Sequence, residues 1–220
     1  MASRPVFIVN ERRPYYHETS IDFTYNSGFA TVQKQKNINA LHRAFLEEFP
    51  DKPVLEISSK SLQPEGEPLS AFFLPKYVPS LGKYVPSLGK SVPVECVYQG
   101  GKVLTSGGPY TDLYERTPRE AKKDERLKNG SIIGFQFEGE SFPTRPSTIF
   151  YDYIYINALL ENEDLAQKIL QYRAFTDIEF NPKKSLNCQA RAAAEFVSLT
   201  LSGQIEKVRS FDSFLRLFQI

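Results

Sequence analysis

Apolar positions along the chain recur with the periods of helices and strands. Those between residues 30 and 49 recur close to the 3.6-residue helical period, and Pro50 follows them, so the pattern predicts a helix that ends there. Short runs rich in β-branched and aromatic residues predict strands at 6–9, 21–25, 54–57, 131–137 and 175–180.

Helices and strands are interspersed in the second half as well. Thr117 before Pro118, with Glu120 three residues after Thr117, is typical of a capped helix start. Because the order lacks a regular βαβ alternation, we predict an α+β fold, mostly helical with a small mixed sheet. The further helices are predicted at 94–104, 148–160, 164–172, 185–202 and 213–218.

The segment KYVPSLG occurs twice in succession, at 76–82 and 83–89. Each copy contains a proline and a glycine, which break a helix, and two copies are too few for a solenoid. We therefore predict a lengthened surface loop or β-hairpin at about 76–90, since extending a loop costs little free energy. A partner-binding role is the second interpretation.

Composition and charge exclude several classes of protein function. Two cysteines and two histidines exclude a disulfide framework, a thiolate-rich metal site and a His-rich one, and we expect buried thiols and surface histidines. No apolar run reaches the roughly 20 residues of a membrane-spanning helix, and the start lacks the apolar core of a signal, so we expect a cytoplasmic protein without a cofactor. A formal charge of +1 argues against tight, sequence-independent binding to nucleic acid.

The segment 92–104 carries the first candidate chemistry. If it is helical, a carboxylate and an amine share one face and can act as general acid or base and as nucleophile. Gly100 and Gly101 fit where something approaches the backbone closely. Spacing alone favours the alternative, a solvent-exposed face with a salt bridge. The residues that would share the face are Glu95, Tyr98, Gln99 and Lys102.

The segment 180–191 is the second candidate. Ser185 is placed to cap the predicted helix 185–202, whose free N–H groups would form an anion site beside Lys183 and Lys184. Such a site suits a phosphate or a diphosphate. A capped helix with its lysines in solvent is an equally good interpretation.

Four segments resemble, in the same order, the NADAR/YbiA-like proteins. LSAFF at 69–73 is similar to their LSNF-type opening, and ECVYQGGK at 95–102 to their E-H-x-x-Q-A-x-K helix. TPREA at 117–121 is similar to their S-P-x-x-A helix start, and 180–191 to their G-K-G-x-N-x-L-G segment, with Asn187 retained. YTDLY at 110–114 and NCQARAA at 187–193 resemble one branch more closely, the NADAR antitoxins associated with DarT-type toxins.

The resemblance implies a single YbiA-like domain over residues 1–220, with an N-terminal extension of about 60 residues. It implies a hydrolase, an N-glycosidase, that removes ADP-ribose from guanine bases of DNA and acts as the antitoxin of a DarT-type toxin, its functional partner. Two alternatives stay open. One is an N-glycosidase acting on a free riboflavin-pathway or nucleotide metabolite, and the other is a non-catalytic module that binds ADP-ribose or neutralises the toxin.

The resemblance also implies roles for residues. Glu95 is the first catalytic candidate and would stabilise oxocarbenium-like charge or relay protons. Lys102 is the second and would act as a Schiff-base nucleophile or as a clamp on the ligand. Asp177 is the third and would bind a ribose hydroxyl or act as an acid/base partner. The expected substrate-binding residues are Ser70, Tyr98, Gln99, Phe180, Lys184, Ser185 and Asn187.

Two departures from the family pattern concern the last segment. DIEF at 177–180 replaces the Trp-Gly pair, so base stacking is expected from Phe180, Tyr151 or Phe175. KSLN at 184–187 replaces the family's glycine-containing Lys-Gly-x-Asn, which changes the expected geometry of the phosphate loop.

Overall fold

The structure, a computed structural model, describes residues 1–82, 89–181 and 188–218. Their contacts divide the chain into two units. Unit 1 consists of Met1–Ser70 and Glu163–Ile220, and unit 2 of Ala71–Asn162. Among the described residues, no helix has the length and apolar character needed to cross a membrane.

Helices and strands are both well represented among the described residues, as an α+β fold requires. In chain order the α-helices are α1 (Thr31–Glu48), α2 (Val94–Gly100), α3 (Pro118–Lys123), α4 (Ile149–Glu161), α5 (Glu163–Ile169), α6 (Gln189–Leu201) and α7 (Phe211–Phe218). The strands are β1 (Ala2–Val9), β2 (Tyr16–Phe23), β3 (Val54–Glu56), β4 (Pro75–Val78), β5 (Lys90–Pro93), β6 (Lys102–Leu104), β7 (Ile132–Phe137), β8 (Glu140–Phe142) and β9 (Ala174–Thr176).

Unit 1 is built on a four-stranded mixed sheet in the order β2-β1-β9-β3. β1 pairs antiparallel with β2 and with β9, and β9 runs parallel to β3. The apolar stripe of α1 packs on this sheet, with Leu41 and Phe45 in one core cluster with Val6 and Ile21. α6 packs against β1 and β9, and its alanines allow that close approach because they add little bulk.

Unit 2 combines two antiparallel sheets, β4-β5 and β6-β7-β8, with α2, α3 and α4. The hairpin β4-β5 contains the first KYVPSLG copy, and Lys76 Nζ lies 2.6 Å from Glu161 Oε1 at the end of α4. The second sheet packs through aromatic rings, with Phe135 stacked on Phe150 at 4.6 Å between centroids.

These findings confirm the predicted α+β class. The pairing of β4 with β5 agrees with a hairpin at about 76–90, although residues 83–88 lie outside the described residues. The helix predicted at 30–49 is observed, and Thr117 and Glu120 form the predicted capping box. The single-domain organisation over 1–220 stays a prediction.

The helix predicted at 94–104 is too long. α2 ends at Gly100, and Lys102 begins β6, which pairs with β7. The amide N–H of Gln136 donates to the carbonyl of Gly101 at 2.7 Å, so the backbone carbonyl here is hydrogen-bonded to a strand and not within a helix. Tertiary pairing therefore outweighs the apolar period in this segment.

Two boundaries in the last third also differ from the prediction. The strand expected at 175–180 ends at Thr176, because the Asp177 carboxylate accepts the N–H groups of Glu179 and Phe180 and closes a turn. The helix expected from Ser185 begins at Gln189, with Cys188 as its N-cap and no side-chain cap bond. The N-cap of α6 is therefore Cys188, and Ser185, for which capping was predicted, lies outside the described residues.

We predict that Gly100→Ala lowers the free energy of unfolding by about 1–3 kcal/mol. A Cβ at this position would lie 2.5 Å from the Tyr114 ring and 2.9 Å from the carbonyl oxygen of Tyr110, which is backbone and does not rotate away. Urea denaturation measures the change. Gly134→Ala, whose Cβ would have its nearest contact at 3.4 Å, is the control, and equal loss in both variants would contradict the prediction.

Candidate functional site

Three predicted residues of unit 2 form a continuous hydrogen-bonded chain. Glu95 and Gln99 lie four residues apart on one face of α2, and Gln99 Nε2 donates to Glu95 Oε1 at 2.9 Å. Lys102 Nζ donates to Gln99 Oε1 at 2.5 Å. The Gln99 amide therefore bridges a carboxylate and an amine, and the side chains of Glu95 and Gln99 are both buried.

Lys102 belongs to this group although it lies beyond the helix. As the first residue of β6 it follows the turn at Gly101, and its ammonium group lies 4.8 Å from the centroid of the Tyr98 ring. Tyr98 in turn packs against Phe135 and Tyr151, at 5.7 Å and 5.3 Å between ring centroids. The aromatic packing thus holds the lysine over α2.

The environment of Lys102 increases the share of neutral amine at neutral pH. Burial lowers the pKa of Lys102 to about 8, Glu95 opposes this change, and Lys122 adds to it. Roughly a tenth of the amine is therefore neutral at pH 7, against roughly one part in 3,000 for an unperturbed lysine. Only the neutral form has the lone pair that a nucleophile needs, so Lys102 has the properties of an activated amine.

Lys122 joins the group without having been predicted. Its ammonium nitrogen lies 3.6 Å from Glu95 Oε1 and 5.3 Å from the centroid of the Phe72 ring. The buried Ala121 packs against Cys96 of α2 and so fixes α3 beside the carboxylate. The sequence shows where α3 begins, but it carries no signal that α3 packs on α2.

The two glycines of the segment serve the protein's own packing. Gly100 faces the Tyr114 ring, and Gly101 faces the carbonyl of Gln136 and the ring of Phe150. The close approach expected at these glycines is therefore made by neighbouring residues of unit 2.

Asp177 lies in a second, separate group within unit 1. Besides its two turn N–H groups, its carboxylate accepts Gln189 Nε2 at 3.0 Å. Burial raises the pKa of Asp177, and the negative charge of Glu56 raises it further. Asp177 thus has the character of a carboxyl that takes up a proton readily, which suits an acid but is also what a structural buried carboxyl shows.

Glu56 and His42 complete this second group. The Thr176 hydroxyl donates to Glu56 Oε2 at 2.6 Å and lies 2.8 Å from His42 Nε2, and the N–H of Ile178 donates to Glu56 Oε1. Burial lowers the pKa of His42 to about 4 and raises that of Glu56. The expectation of two surface histidines is therefore wrong for His42, whereas Cys96 and Cys188 are buried as expected.

The remaining predicted residues have varied environments. Ser70 is buried in unit 1, and Phe180 is half-buried just after the Asp177 turn. Phe175 has no exposed surface in its strand, so it offers no face for a base to stack on. Lys184, Ser185 and Asn187 lie outside the described residues.

We predict that Lys122→Gln raises the pKa of Lys102 toward the ordinary lysine value, because a neighbouring positive charge is removed. The pH dependence of acetylation of Lys102, followed by peptide mass spectrometry, measures it. Lys123→Gln, an exposed neighbour on the same helix, is the matched control. An unchanged Lys102 titration in Lys122→Gln would show that burial alone lowers this pKa.

Comparison with known families finds one that extends over nearly the whole chain. A search of curated proteins finds no match. The model of the family NADAR-DarT1, described as DarT1-associated NADAR antitoxin, matches residues 2–220 and so includes all three hydrogen-bonded residues of unit 2. The chain therefore belongs to the NADAR-DarT1 family of DarT1-associated antitoxins.

Proposed function

We propose that this protein hydrolyses the N-glycosidic bond between ADP-ribose and guanine in DNA and so reverses the modification made by a DarT1-type toxin. The observation that carries the proposal is the Glu95–Gln99–Lys102 chain, in which a buried carboxylate and an amine of lowered pKa meet through one amide. Membership of an antitoxin family associated with DarT1 supports the biological role.

The carboxylate of Glu95 is suited to the first step. Breaking the bond between the anomeric carbon and the guanine nitrogen develops positive charge on the ribose, which a nearby carboxylate stabilises. The buried position of Glu95 strengthens that interaction, because less water screens it. Lys122 and Gln99 orient the carboxylate through Oε1 and leave Oε2 for the substrate.

Lys102 is suited to a covalent intermediate. Its neutral amine attacks the anomeric carbon as the bond to the guanine nitrogen breaks, and that nitrogen takes one amine proton. The ribose ring then opens to an imine, and the ring oxygen takes the second amine proton. Water adds to the imine carbon, its two hydrogens restore the amine as the carbon–nitrogen bond breaks, and the ring oxygen closes the ring again. The net reaction consumes one water, whose hydroxyl ends on ADP-ribose and whose hydrogen ends on guanine.

Tyr98 and Gln99 would line the substrate side of this group, and Gln99 also acts as a positioning residue. Its amide has one oxygen for Lys102 and one nitrogen for Glu95, so it sets the distance between the two reacting groups. On the family resemblance Asp177 remains a proposed catalytic residue, as ribose-hydroxyl or acid/base partner. The other proposed substrate-binding residues are Ser70, Phe180, Lys184, Ser185 and Asn187.

We predict that Glu95→Gln reduces ADP-ribose release by about 10²- to 10⁴-fold, the usual contribution of a general acid or base. The assay incubates the protein with an ADP-ribosylated guanine oligonucleotide and measures free ADP-ribose by chromatography. Glu125→Gln, which changes an exposed carboxylate of unit 2 paired with Lys128, is expected to keep the full rate.

Two other outcomes would favour the alternatives. Cleavage of free nucleotides without cleavage of the oligonucleotide would indicate a metabolite glycosidase. Tight binding of the modified oligonucleotide with no release by the unaltered protein would indicate a non-catalytic binding module.

We predict that borohydride added during turnover traps ADP-ribose on Lys102. Hydride reduces the imine to a stable secondary amine, so the peptide that contains Lys102 gains the mass of the reduced adduct. Lys102→Arg keeps the positive charge but forms no adduct under these conditions. Full activity in Lys102→Ala would rule out the covalent step and leave Lys102 as a clamp.

A further inference from the structure

The exposed side of α3 carries a small basic surface. Arg119, Lys122 and Lys123 stand at positions i, i+3 and i+4, and so share one side of the helix. Ala121 points the other way, into the core cluster with Cys96 and Leu113. All three basic side chains are exposed, and we call them the α3 basic face.

The acidic residues around this face have partners of their own, although Glu120 keeps its negative charge because Thr117 holds it by hydrogen bonds alone. Glu120 is held in the capping box by Thr117, and Glu115 pairs with Lys90. The other ion pairs of the surrounding segment join Arg126 to both Asp112 and Asp124, and Lys128 to Glu125.

Arg119 and Lys123, in contrast, make no ion pair with any residue that the structure describes. The α3 basic face therefore keeps a local positive charge in a chain whose formal charge is only +1.

Lys122 connects this face to the candidate site. Its ammonium group is 3.6 Å from the Glu95 carboxylate, while more than half of its side chain is exposed. Lys122 thus belongs both to the α3 basic face and to the surroundings of Glu95. The other two members of the face, Arg119 and Lys123, form no ion pair with Glu95 or with any other described residue.

We propose that the α3 basic face binds the phosphodiester groups that flank the modified guanine on the DNA strand. The proposal rests on the proposed function, since it assumes that Glu95 acts on a base held in a strand. Guanidinium and ammonium groups bind phosphate oxygens through charge-assisted hydrogen bonds and fix the register of the strand without reading its sequence.

Only a few phosphates would be contacted, which agrees with the near-neutral chain. Each phosphate contact with a single strand releases about 0.7 counterion. Two such contacts therefore give a modest, salt-dependent affinity for the strand and not tight binding along its length. The enzyme would then distinguish a modified strand from a free nucleotide by these contacts.

The double variant Arg119→Gln/Lys123→Gln tests the proposal in two ways. Fluorescence anisotropy with an unmodified single-stranded oligonucleotide measures strand binding without any catalysis. We expect the affinity to fall roughly tenfold near 0.1 M salt, and the slope of log affinity against log salt to become shallower by about 1.4. Lys36→Gln/Lys168→Gln, which changes the same charge at exposed lysines of α1 and α5, is expected to leave both unchanged.

The second arm uses ADP-ribosylated oligonucleotide and ADP-ribosylated deoxyguanosine as substrates. We expect the Arg119→Gln/Lys123→Gln variant to raise KM for the oligonucleotide alone and to leave kcat unchanged. An equal rise for both substrates would place the diphosphate of ADP-ribose on this face and overturn the proposal, as would unchanged strand binding in the anisotropy arm. If the unaltered protein cleaves neither substrate, the proposed function is contradicted. The anisotropy measurement would still show whether the α3 basic face binds a DNA strand.

Discussion

Close packing at Gly100 and Gly101 is the constraint on which the candidate site depends. The Tyr114 ring and the Gln136 carbonyl approach so closely that a Cβ at either glycine has no room. α2 ends there and β6 begins, because the backbone at Gly101 pairs with Gln136 of β7, and Lys102 reaches Gln99 from the first position of the strand. The longer helix that the apolar period predicts would place the same three side chains on one face of a single helix.

The electrostatics of unit 2 follow from that turn. The charge of the half-buried Lys102 amine depends on two opposing effects, because desolvation favours the neutral amine and the buried carboxylate of Glu95 favours the charged one. Lys122 shifts the balance toward the neutral form while it neutralises Glu95 from the solvent side. An amine of lowered pKa and a carboxylate are thus held on the two ends of one amide.

The acidic side chains of unit 1 are stabilised by hydrogen bonds instead of by a nearby amine. Burial raises the pKa values of Glu56 and Asp177, and hydrogen bonds from backbone N–H groups, a threonine and a glutamine lower the cost of that burial and oppose the rise. These bonds also end β9 and shape the turn that precedes residues 182–187. Carboxylates therefore accept backbone and side-chain hydrogen bonds around a turn in unit 1 and lie near an amine in unit 2. Residue type alone does not assign a catalytic role.

By itself the sequence determined the α+β class, the capped start of α3, the helix of α1 and the residue set Glu95, Gln99 and Lys102, because local periods, caps and the family pattern are written in neighbouring residues. Packing between distant segments sets where α2, β9 and α6 begin or end, brings Lys122 beside Glu95 and makes His42 half-buried. These features depend on contacts between residues far apart in the chain, such as Gly101 with Gln136 or His42 with Thr176, and no local pattern encodes such contacts.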